Sequence, residues 1–126
     1  MAGKSTYASD TVLDLFFGST VYIALYSSAP TDAGGGTEIS WTDYTRETTT
    51  WCTPTAYTGG GLQVYNTATI TFTPNPSITP VTIVAFGLLD ADTGGNLLYW
   101  GSTGNFVASQ SKAISWLAGE LIVVED

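Results

Sequence analysis

The sequence contains no histidine, a single cysteine and only three basic residues. Without histidine there is no Ser-His-Asp or Cys-His arrangement, the commonest general base is absent, and most zinc sites are excluded. The lone Cys52 cannot close an intramolecular disulfide, has no metal-type spacing around it, and reads as structural beside Trp51. Lys4, Arg46 and Lys112 are scattered against eleven acidic residues, for a net charge of −8. No basic stripe is left for nucleic acid or for anionic lipid. Long apolar runs are missing as well. The longest, "VTIVAFGLL" at 81–89, falls far short of the ~20 residues of a membrane helix, and "MAGKSTYASD" has no signal-peptide core. Synthesis in the cytosol is the expectation that follows.

Apolar residues make up 44% of the chain and aromatics 13%, enough for a packed core in 126 residues. One domain spanning 9–126 is expected, preceded by an arm over 1–8 that has no periodicity. "SDTVLDLFFG" predicts a short helix capped by Ser9 or Asp10, with Val12, Leu13, Phe16 and Phe17 on one face and Gly18 in a left-handed terminal position. Two turns are not stable alone, so that face must be buried, either as a plug in the chain's own core or against a partner subunit.

From residue 21 the pattern is β. "VYIALYS" alternates Val21, Ile23 and Leu25 with Tyr22, Ala24 and Tyr26. "YTRETTTW" reads as a polar edge strand with Arg46 and Glu47 on opposite faces. "LQVYNTATITFTP" predicts a strand with Ala68, Ile70 and Phe72 opposite a row of threonines. "VTIVAFGLLD" is apolar on both faces and reads as a central strand, paired through the turn "DADTGGN" to "LLYWGST". "KAISW" and "ELIVVED" complete seven or eight short strands. The fold class expected is therefore mostly β: a single antiparallel β-sandwich or jelly-roll-like domain with a short N-terminal helix.

Motif chemistry narrows the function further. "GGGTEISW" lacks a lysine, runs into β alternation and carries Asp32 and Glu38 where a phosphate would sit, so it is no phosphate loop. "DADTGGN" has Gly94 and Gly101 at the fifth and twelfth positions of a calcium loop, where acidic residues are needed, and reads as a hairpin turn. Residue types alone leave paired-carboxylate catalysis open, but most of the eleven acids fall in turns, and Asp43 and Glu47 are the strand-associated candidates in the middle of the chain. Trp41, Trp51, Trp100 and Trp116 read either as core or subunit interface, or as a sugar-stacking platform. No catalytic residue, metal ligand or cofactor is assigned.

The order "VYIALYSSAPTDAGGGTEIS…YTRE", "GGG…VYNTATITFTP", "VTIVAFGLLDADTGGNLLYWGS" and "K…WLAGELIVVED" resembles a family of small virion proteins of tailed bacteriophages, across nearly the whole chain. Members are often labelled tail fibre or structural proteins, and some resemble capsid decoration (cement) proteins. The resemblance implies a non-enzymatic β-rich module on the virion. As a decoration protein it would bind the major capsid protein on the outer surface of the head, as a homotrimer. The alternative is a tail or head-fibre component in contact with carbohydrate. The contacts expected are Lys4 and Tyr7 in the arm, Phe16 and Phe17 on the helix, Pro30, Thr31 and Asp32 in the 29–37 loop, whose glycines give it unusual freedom, and Glu38 beyond it.

Overall fold

The apolar spacing of "VLDLFF" makes a helix, but its start lies upstream of the expected one. The structure, a computed structural model, describes residues 3–125. Helix α1 spans Thr6–Phe17, capped by the Ser5 side chain, which accepts a hydrogen bond from the Ala8 amide at 3.1 Å. Thr6, Tyr7 and Ala8, read as part of the arm, thus form its first turn. Ser9 is buried inside the helix and caps nothing. Gly18 is right-handed, at φ −75°. It is required for space: a Cβ there would lie 2.5 Å from the Asp14 carbonyl oxygen. Met1, Ala2 and Asp126, at the ends of the arm and of "ELIVVED", lie outside the described residues.

Ten strands follow among the described residues: β1 Tyr22–Ser28, β2 Thr37–Glu38, β3 Glu47–Thr48, β4 Thr55–Ala56, β5 Leu62–Tyr65, β6 Ile70–Thr71, β7 Val81–Leu89, β8 Leu97–Ala108, β9 Ser115–Trp116 and β10 Ile122–Glu125. Pairing is antiparallel throughout. The main sheet runs β2-β1-β7-β8, with β3 beside β2 on the same edge of β1, so β7 is central as its two apolar faces require. A second sheet runs β10-β5-β4, and β6 pairs with β9.

The sheets layer around one core, without closing into a barrel. Ile23, Leu25, Ile83 and Leu88 of the main sheet meet Val64 and Val123 of the second, Ile70 of β6, and Leu13 of α1. The helix is thus a plug in its own chain's core. Burying so short a helix supplies the stability its few hydrogen bonds cannot. On the outer face of the main sheet lies a smaller cluster of Ala24, Tyr26, Ala85 and Leu89. For that reason Tyr22–Ser28 is buried on both faces over most of its length, where alternation alone predicts one face.

"LQVYNTATITFTP" is two strands. Asn66 breaks it: fully buried, it donates through Nδ2 to the carbonyls of Ala68 and Leu117, at 2.8 and 3.0 Å, and accepts the Leu121 amide at 2.9 Å. This pins the corner where the chain leaves the second sheet for β6. Ile70 and Phe72 are buried as expected, but Ala68 sits in the corner, exposed. Arg46, Thr49 and Thr50, read as part of one edge strand, flank a pairing that spans only Glu47–Thr48.

Candidate functional site

The chemistry-bearing side chains converge where the β1–β2 turn meets the β7–β8 turn. The first turn is a tight, bonded structure. Thr31 and Gly34 exchange both backbone hydrogen bonds, at 2.9 and 2.8 Å. Gly36 has φ +76°, and a Cβ on it would lie 2.6 Å from the Ser28 carbonyl oxygen, so only glycine fits. The three glycines supply left-handed backbone to this closed turn. In the second turn, Asp90 accepts from the amide and the side chain of Asn96, at 2.7 and 2.9 Å. Those two donors hold its carboxyl below the usual range. "DADTGGN" is the hairpin turn its residues predict.

Arg46 joins the two. Its Nε and Nη2 donate to Glu38 Oε2 and Oε1 at 2.9 and 2.8 Å, and Nη1 donates to the carbonyls of Ala91 and Gly94 at 2.7 and 2.9 Å. The guanidinium thus spends both sides of its fork on internal partners. Tyr44 completes the clamp by donating to Glu38 Oε2 at 2.8 Å and accepting the Leu25 amide at 3.1 Å. Burial pushes the Glu38 carboxyl up, but the bonds from Arg46 and Tyr44 and the Arg46 charge outweigh it, and its pKa is lowered. Burial raises the Tyr44 phenol far above its ordinary range, and the Glu38 charge adds to this. An acid held ionised and a base held protonated in one closed pair offer no proton to a substrate.

The eight residues expected in contacts divide into two groups. Lys4 pairs with Glu125, which also accepts from Tyr99. Tyr7 stands 81% exposed on the first turn of α1. Phe16 meets Tyr99 edge-on, while Phe17 packs on Trp51 and Tyr99, so both serve their own chain. Pro30 is buried, Thr31 and Asp32 beside it are exposed, and Glu38 is the clamp's acid. Asp32 accepts the Trp100 indole N–H at 2.9 Å. Trp41, Trp51 and Trp116 pack against the core, so four tryptophans do not form a platform. Sequence reasoning did not single out Arg46, Tyr26 or Asn66. The available signal for Arg46 was that it is one of three cations facing eleven acids.

A family model described as podophage GP4 fiber I protein gp80 matches residues 3–123, and the chain belongs to that family of phage virion proteins. Compared with curated proteins, the chain has no match.

Proposed function

We propose that the protein is a non-enzymatic structural subunit of a tailed-phage virion and serves as a fibre component. The observation that carries this reading is the family match over residues 3–123, whose description is that of a fibre protein. The site supports it: Glu38, Asp90, Glu120 and Glu125 are each engaged in internal hydrogen bonds, so these acids act as pins. Contact with neighbouring subunits runs through the exposed Tyr7 of α1 and through Thr31 and Asp32 of the first turn, in a homotrimer.

Decoration of the outer head surface, bound to the major capsid protein, is the second reading. It is favoured by the compact arrangement of short antiparallel strands around one core, a shape suited to sitting on a shell. Labelling the protein in purified virions and counting its copies separates the two. A fibre component gives few copies at discrete appendages; a decoration protein covers the shell in many copies and binds expanded capsids in isolation. Absence from virions overturns both.

A further inference from the structure

Strand β8 is the last of the main sheet, and among the described residues no strand pairs with its outer edge. It is 12 residues long and contains neither a charged residue nor a proline. Such an edge presents a row of unpaired amides and carbonyls, and proteins that keep an edge free of partners shorten it, charge it or place proline in it. The pairing with β7 shifts register twice, near Leu98 and over 103–105. At the second shift the strand satisfies itself, because the Ser102 hydroxyl accepts the Gly104 amide at 3.1 Å. The outer edge over 97–102 is left open.

Beside this edge lies a cleft of about 430 Å³ between the main sheet and β9. Phe86, Thr103 and Phe106 form one wall and Ile114 and Trp116 the other, and every side chain that lines it is uncharged. Among the described residues β9 pairs only with β6, so its far edge is open too. The layers therefore part between two strand edges on one flank, and the gap is apolar. An extended chain laid along 97–102 satisfies the open backbone, and every second side chain of it points to the inner side of the sheet, where the cleft receives it.

Charge selects the incoming strand. Asp32, Asp90 and Asp92 are exposed around the start of β8, Asp32 through its bond to Trp100, and Arg46 in the same turn is taken up by Glu38. A second copy of this chain brings a like charge of −8, so the complementary segment is basic. We propose that the β8 edge and its cleft accept an extended segment of a different protein, with apolar residues at alternate positions and lysine or arginine at the end that meets the β7–β8 turn. The inference deepens the structural-subunit reading and rests on it: the segment belongs to a neighbouring virion protein.

The test compares the full chain, free and in purified virions. Hydrogen exchange read by mass spectrometry slows at least about tenfold across 97–102 on assembly. A benzoylphenylalanine photo-crosslinker in place of Val107, exposed on the strand, joins a different virion protein through one basic, extended peptide. Val107→Lys charges the edge and Ala113→Phe fills the cleft from its exposed rim; each lowers incorporation at least about tenfold, whereas Val107→Thr incorporates normally. Thermal unfolding of the free variants checks that the fold is kept. Unchanged exchange across 97–102, a crosslink to a second copy of this chain or to nothing, or normal incorporation of both blocking variants overturns the inference while the chain remains a virion protein. Absence of the chain from virions overturns the structural-subunit reading, and the inference with it.

Discussion

Arg46 grips Glu38 through two parallel hydrogen bonds while its remaining terminal nitrogen holds the carbonyls of Ala91 and Gly94, 45 and 48 residues further along the chain. A single side chain thereby fixes the β7–β8 turn against the β1–β2 hairpin. Arg46→Ala leaves Glu38 partly buried and uncompensated and frees two carbonyls. The expected loss is about 3 kcal/mol, at the lower end for breaking a buried pair because Glu38 keeps some solvent. Arg46→Lys keeps the charge but not the fork, and falls between the two in urea unfolding.

Stability falls at both extremes of pH. Glu38 has a folded pKa below its unfolded value, so its contribution is complete above the unfolded pKa and is lost on the acid side as the pH drops through the folded one. Burial raises Tyr26, Tyr44 and Tyr99, so their contribution is complete below the unfolded phenol pKa and fades as the pH climbs above about 10. Burial likewise raises Glu47, whose charged form works against folding at neutral pH. Denaturant midpoints against pH should show Glu38→Gln flattening the acid limb and Glu47→Gln raising the neutral plateau.

Asn66 holds the corner between sheets. Asn66→Ala strips partners from the Ala68 and Leu117 carbonyls and the Leu121 amide, and should cost at least about 3 kcal/mol in thermal or urea unfolding. Asn66→Asp keeps the size and the acceptor but turns a carboxylate toward two carbonyls, so it should rescue little.

Gly87→Ala drives a methyl group into the Tyr26 ring and should cost about 1–3 kcal/mol by overpacking. Gly104→Ala meets nothing within 4 Å but sits at φ +68°, and should cost only the left-handed strain of about 1–2 kcal/mol. Calorimetry on the two variants separates crowding from backbone strain.

Tyr7→Ser should leave stability unchanged and lower incorporation into virions, read by complementing a phage that lacks the protein. Deleting residues 1–8 is a poorer probe, because it removes the Ser5 cap and the Lys4–Glu125 pair along with Tyr7.

The legible part of the fold was the part with a local period. Ile23 and Leu25, Ile70 and Phe72, and the doubly apolar 81–89 segment announce their burial through spacing alone. What was hidden depends on partners distant in sequence. Nothing beside Asn66 shows that Leu117 and Leu121 will meet it, and nothing beside Arg46 shows that its carbonyl partners lie in a turn beyond residue 90. The helix start was missed because Ser5 caps through geometry, while Thr6 and Tyr7 add no apolar period. At the candidate site the first turn was visible as a glycine run, but its closure by Thr31 and its bond to Trp100 through Asp32 were not.

The most direct test of the central claim is the position and copy number of this chain in purified virions, by cryo-electron microscopy with quantitative gel staining. A fibre component gives density for the clamped β module at discrete fibres, in few copies per particle. Particles that lack the protein altogether would contradict its assignment as a virion subunit, and a shell covered by many copies would contradict the fibre reading in favour of head decoration.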